Sequence, residues 1–277
     1  MSEYQYNKVT PEMIEKFKEI APKRVLVGDE INEDFTHDEM AIYGKARPEV
    51  LVEATSTEEV AAVVKLCNEN KVPVTPSGAR TGLVGGAVSI GGGVMISLTK
   101  MNKILGYDKE NFVVKIQSGV LLNDLAQDAE KQGLLYPPDP GEKFATVGGN
   151  VATNAGGMRA VKYGVTRDYV RGLEVVKADG TVLTLGSKNV KDASGLSLKH
   201  LFIGSEGTLG IITKCILKLV PAPVYSLSVL VPFKNLEDGI SNVLRILKSN
   251  TDPTAVEFVE RNVIELGEKF CNLKYPC

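Results

Sequence analysis

The 277-residue sequence contains no tryptophan, two histidines and four cysteines, and no apolar run of membrane-spanning length. Each shortage removes a class of function. Cys67, Cys215, Cys271 and Cys277 show no CxxC spacing, which argues against a structural metal or a disulfide framework; the first two lie in apolar stretches and read as buried free thiols. His37 sits in the charged run Asp34–Glu39, a solvated face, and His200 precedes Leu201-Phe202-Ile203 as a helix-end or packing residue, so neither is assigned a catalytic role. A net charge of -2 leaves no basic surplus for nucleic acid or an anionic membrane. Met1-Ser2-Glu3-Tyr4-Gln5 has neither a basic flank nor an apolar core, so a signal peptide is not expected and a cytoplasmic protein is.

What is present is an alternation of strand and helix signals. Residues 10–20, opening on Thr10-Pro11-Glu12, predict a capped helix, followed by a polar extension to about Gly44. Val50-Leu51-Val52 reads as a strand, Ser56-x-x-Glu59 as a capping box opening a helix with Val60, Val63, Val64 and Cys67 on one face, and Val72-Pro73-Val74 as the next strand. That order predicts a βαβ start to an α/β subdomain. Val94–Leu98 reads as a buried strand and Phe112–Gln117 as a half-exposed one. Leu121–Gln132 is amphipathic and stops at Gly133. Leu173–Leu185 predicts a hairpin around Asp179-Gly180, and Ile211–Val220 a further strand, giving an antiparallel second half packed with helices.

Three glycine-rich stretches carry the chemistry. In the first, residues 73–86, Pro76-Ser77-Gly78-Ala79-Arg80-Thr81-Gly82-Leu83 follows a strand; its N–H groups form an anion-binding concavity to which Ser77 and Thr81 add hydroxyl donors, suiting a diphosphate. It is neither a P-loop nor a Rossmann fingerprint, and alone it also reads as a tight connection. The second runs from Tyr136-Pro137-Pro138-Asp139 through Thr146-Val147-Gly148-Gly149-Asn150-Val151-Ala152-Thr153-Asn154-Ala155-Gly156-Gly157 to Lys162-Tyr163-Gly164. Its small residues and amides suit a flat polar ring system. The third, Gly204-Ser205-Glu206-Gly207-Thr208-Leu209-Gly210-Ile211-Ile212, turns into a buried strand. Arg80 and Lys162 read equally as ligand contacts or as structural cations, and Tyr163 as a ligand neighbour or a core residue. Three such loops suggest one long ligand.

In this order and at these separations the three motifs resemble the FAD-binding domain of PCMH-type (vanillyl-alcohol-oxidase-type) flavoproteins over residues 46–222, and are most similar to those of the D-lactate, glycolate and D-2-hydroxyglutarate dehydrogenase branch. The resemblance implies an α+β fold, a small α/β subdomain beside a larger, mainly antiparallel sheet flanked by helices. It places the FAD diphosphate on Pro76–Leu83. The ribityl and isoalloxazine portions would meet Pro138, Asp139, Thr146, Gly148, Gly149, Asn150, Thr153, Asn154, Gly156, Gly157, Tyr163 and Gly164, with Glu206, Gly207, Ile211 and Ile212 completing the pocket. Members that tether flavin often carry a histidine in the first loop; Ala79-Arg80 stands here, so FAD is expected to be non-covalent. The implied reaction oxidises a 2-hydroxyacid to the 2-oxoacid by hydride transfer to flavin N5, with an electron-transferring flavoprotein as a further partner in some members; a non-catalytic FAD-binding fragment is the alternative.

Pro221-Ala222-Pro223 reads as a boundary between the FAD-binding domain and an incomplete α/β cap domain over 223–277, residues 1–45 forming a helical N-terminal extension. Beyond it, Leu227–Val231 and Val256–Val259 read as strands and Leu236–Leu247 as a helix with Leu236, Ile240, Val243, Leu244 and Leu247 inward, before a last helix-like run. The resemblance puts the catalytic base, a carboxylate-binding arginine and often a metal site in the cap. Those motifs do not occur here, so no catalytic residue or metal ligand is assigned, and the chain is expected to bind FAD better than it turns over substrate.

Overall fold

A computed structural model describes residues 6–40, 42 and 44–275; Met1–Gln5 and Cys277, discussed above, lie outside the described residues. In chain order the elements are α1 (Pro11–Ile20), β1 (Val25–Val27), β2 (Val50–Glu53), α2 (Thr57–Glu69), β3 (Val74–Ser77), β4 (Val94–Ser97), β5 (Ile104–Asp108), β6 (Val113–Gln117), α3 (Leu122–Lys131), β7 (Leu134–Leu135), α4 (Val147–Thr153), α5 (Ala160–Tyr163), β8 (Val170–Val176), β9 (Val182–Gly186), α6 (Lys199–Phe202), β10 (Ile211–Lys218), β11 (Val220–Pro221), α7 (Leu236–Lys248) and α8 (Arg261–Cys271). Two sheets organise them, and the fold is the α+β arrangement expected.

The first sheet runs β1-β2-β4-β3, with β2, β4 and β3 parallel and β1 antiparallel at the far edge. The βαβ unit is therefore real, but β2 and β3 are not neighbours. All four residues of β4 are buried, so it takes the centre, whereas β3 contains Pro76, which cannot donate to a ladder and sits at an edge. The second strand also lies two residues later than Val72-Pro73-Val74, which moves Pro76 and Ser77 from the loop into β3. The segment assigned to an extension joins this unit: β1 pairs with β2, and Met13 and Phe17 of α1 pack with Val60, Val63 and Cys67 of α2. Ser56 caps α2 by accepting from Glu59 N, but the reciprocal half of the capping box is absent, because the Glu59 carboxylate accepts from Thr55 N and pairs with Arg24 at 2.6 Å.

The second sheet, β5-β6-β10-β8-β9, is wholly antiparallel. The Asp179-Gly180 hairpin joins β8 to β9 as expected, with Gly180 at φ +80°. β6 departs from the half-exposed reading: only Lys115 faces solvent, because β6 is flanked by β5 and β10 and its Val114 and Ile116 enter a core shared with α3 and α4. The two sheets meet where Val176 and Ile211 enter the core of the first. Glu174 of β8 ties them further, pairing with Lys214 at 2.8 Å and accepting from Thr57 of α2.

After Pro223 the helices form and the strands do not. Residues 227–231 and 256–259 carry no ladder, and the face of α7 read as inward is open, with Ile240 and Leu244 60% and 61% exposed. Alternation gives a strand only where another edge supplies hydrogen bonds, and among the described residues none lies alongside.

Candidate functional site

The first glycine-rich loop leaves the carboxyl end of β3, the end of a parallel sheet at which open α/β folds place ligands. Ser77, the last strand residue, is buried, and its carbonyl accepts from Leu98 N at 2.9 Å. Arg80 then adopts φ +60°, a left-handed conformation that an L-residue holds only when its surroundings enforce it. Here they do. The Arg80 guanidinium stacks over Phe35 at 4.0 Å from the ring centroid, and its Nε donates to Asp34 O at 2.9 Å. The Arg80 side chain thus has partners within the chain. Leu83 and Val84, at the tip, remain exposed.

The second stretch is not a continuous loop, because residues 147–153 form α4. Thr146 caps it, accepting from Gly149 N at 3.3 Å, and Asn154 ends it at φ +50°. Asn154 Oδ1 then accepts from Arg167 N at 2.9 Å, fixing the following turn. Asp139 pairs with Arg159 at 3.2 Å, and Pro138 is buried beside it. Gly156 and Gly164 shape the return toward β8, Thr153 donates to Gly149 O, and Tyr163 packs against the larger core with Lys162 Nζ 5.4 Å from its ring centroid. Lys162 is bound to Asp252 at 2.7 Å, again a structural partner.

Three close approaches lock the stretches together. A Cβ on Gly78 would lie 2.2 Å from Thr146 Oγ1, joining the first stretch to the second. One on Gly207 would lie 2.6 Å from Pro76 Cγ, joining the third to the first. Gly204 N donates to Val151 O at 3.1 Å and Glu206 N to Ala152 O at 2.8 Å, joining the third to the second. Glu206 itself is left-handed at φ +53°, so Arg80, Asn154 and Glu206 bring one strained backbone residue from each stretch to this junction. Ile211 and Ile212 behave differently: they begin β10 and bury their side chains in the two cores, supporting the site from behind.

The junction has the character of a cofactor cradle. Asn150 of α4 is 6% exposed, and the fully buried Oγ of Ser118, whose backbone carbonyl accepts from Gly148 N, has no hydrogen-bond partner among the described residues. A buried polar group left unsatisfied costs about 1–3 kcal/mol, so a ligand rich in hydrogen-bonding atoms fits here. Ser118 is not legible in the sequence, since an isolated serine after a strand carries no pattern. Nor is Asp38, which is 2% exposed and accepts from Gly85 N at 2.6 Å; nothing local marks a carboxylate 47 positions from its partner. Among the described residues no cluster of His, Cys, Asp and Glu is placed to hold a metal ion, and no helix is long and apolar enough to cross a membrane.

Residues 48–186 match the model of a family described as FAD binding domain. The chain is 79% identical over all 277 residues to a D-lactate dehydrogenase of Anaerostipes hadrus, covering 58% of that protein. It is 39% identical over 233 residues to the glycolate oxidase subunit GlcD of Bacillus subtilis, covering 84% of this chain and 50% of that one. A solved structure of alkyldihydroxyacetonephosphate synthase superposes with a TM-score of 0.78 at 25% identity, over 91% of this chain and 48% of the other. The chain thus spans 58% and 50% of the lengths of these two curated relatives. With its motifs interlocked at one junction, the chain belongs to the FAD-binding domain family, with the PCMH-type fold and FAD as its cofactor.

Proposed function

We propose that this chain is the FAD-binding part of a dehydrogenase that oxidises a 2-hydroxyacid of the D-lactate or glycolate type. The observation that carries the reading is the interlock of the three glycine-rich stretches through Gly78, Thr146, Gly207 and Pro76. The names of the relatives from Anaerostipes hadrus and Bacillus subtilis support the substrate class. FAD, when bound, supplies a hydride acceptor at N5 of its ring. The chain supplies position: Pro76–Leu83 holds the diphosphate, the residues from Pro138 to Gly164 line the ribityl and ring portions, and Glu206 and Gly207 close the pocket. The first loop carries Ala79-Arg80 and no histidine or cysteine, so the cofactor is held without a covalent link. Residues 46–222 form the FAD-binding unit in this proposal and 223–277 open a substrate domain. For the electron acceptor we propose an electron-transferring flavoprotein, tested by co-purification.

The deciding experiment is an absorption spectrum of purified chain, reconstituted with FAD, before and after acid precipitation. Flavin recovered in the supernatant is the expected result; flavin retained in the pellet overturns the non-covalent assignment. Anaerobic addition of D-lactate or glycolate to the longest available form of the protein then bleaches the bound flavin. If neither acid, nor a longer 2-hydroxyacid, reduces it, the substrate class is wrong while the FAD site stands.

A further inference from the structure

The segment Asp34–Glu39 reads from sequence as a solvated charged face, yet it lies across the first glycine-rich loop at four points. Arg80 Nε donates to Asp34 O at 2.9 Å, the Arg80 guanidinium stacks on Phe35, Glu39 N donates to Gly82 O at 3.2 Å, and Gly85 N donates to Asp38 Oδ2 at 2.6 Å. Asp38 is the most committed of these residues. It is 2% exposed, and its second oxygen accepts from Met40 N at 2.9 Å, so both oxygens are used as acceptors. A buried carboxylate is tolerated only where N–H groups or cations replace its water, and those replacing it here are backbone donors, one of them from the loop. The strap is itself anchored, since Asn32 caps the turn at Asp34 N and Ala46 N donates to Thr36 O.

We infer that Asp34–Asp38 is a strap that sets the conformation of the diphosphate loop, with Asp38 as a positioning residue for FAD; this rests on the reading of Pro76–Leu83 as the diphosphate site. The strap orients the loop by taking the N–H of Gly85, two residues beyond Leu83, and by holding Arg80 left-handed, leaving the N–H groups of Pro76–Leu83 to the ligand. Asp38→Asn keeps the shape of the side chain but has a single acceptor oxygen, leaving Gly85 N or Met40 N unpaired.

The test compares binding of FAD and of riboflavin, which has no phosphate, to the full chain and to Asp38→Asn and Asp38→Ala, by quenching of flavin fluorescence. Loss of a charge-assisted hydrogen bond predicts FAD binding weakened about tenfold with riboflavin binding unchanged, and faster amide exchange at Gly82–Gly86. A general loss of folding weakens both ligands together, and that result overturns the inference. So does equal FAD affinity in wild type and variants, and so does tighter FAD binding by Asp38→Asn, the outcome if the carboxylate only repelled the diphosphate. Wild type that takes up no FAD overturns the diphosphate reading of the loop and this inference with it. Phe35→Ala, which removes the stack under Arg80 and no acceptor, supplies the second variant and is expected to act in the same direction.

Discussion

Gly78 is the residue at which the site is most sensitive to a single methyl group. Its missing Cβ leaves room for the Thr146 hydroxyl, which is busy capping α4. Gly78→Ala is therefore expected to lose FAD uptake, measured by flavin absorbance, and to lower stability by about 1–3 kcal/mol in urea, because neither loop can retreat without breaking the cap. The buried thiols are a second residue-scale case. Burial pushes Cys67 and Cys215 up to about 12. At pH 8 both stay thiols, with no solvent path, so native alkylation followed by mass spectrometry is expected to leave them unmodified until denaturant is added. Labelling of either in the native chain contradicts the packing described.

At the scale of elements, the signals that came through the sequence were those whose cause is local. Thr10 and Ser56 cap helices because their hydroxyls meet N–H groups three residues on. The same logic makes Thr146→Ala a measurable lesion, expected to cost about 1 kcal/mol through loss of the α4 cap. Chemical denaturation gives that figure, and an unchanged midpoint would show that the Gly78 contact, and not the cap, is what Thr146 provides. The strands at 227–231 and 256–259 failed for the complementary reason. Alternation records a preference for a two-faced environment, and the partner edge that turns it into a strand is not written in those residues. Helix α4 was hidden because Gly148 and Gly149 depress helix propensity; the turn of helix survives through Thr146 and through packing of Val147 and Val151 in the larger core.

At the scale of the whole molecule, the joint between the two sheets is electrostatic as well as apolar. Burial works against the charge of Glu174, yet hydrogen bonds from Lys214 and Thr57 hold its carboxyl below the ordinary value of 4.5. A carboxyl depressed in the folded state adds stability that is complete above its unfolded pKa and lost as pH falls through that value toward the folded one. Thermal stability of wild type is thus expected to fall, as pH drops below about 5, more steeply than that of Glu174→Gln, and parallel curves would remove Glu174 from the joint. The exposed row Leu236, Ile240, Leu244 and Leu247 on α7 is a second molecular feature. Ile240→Lys is expected to leave the unfolding midpoint unchanged while reducing binding of a hydrophobic dye.

Legible in the residues alone were the βαβ start, the hairpin at Asp179-Gly180, most helices and the three stretches, whose resemblance to a known family in turn implied the α+β fold. These follow from periodicity, caps and glycine placement, all interactions between residues a few positions apart. Long-range packing sets the rest: β4 separates β2 from β3, Arg80 faces Phe35, and Asp38 reaches Gly85 across 47 positions. Contacts of that range depend on where the chain returns in space, and a pattern read along the chain holds no record of the return.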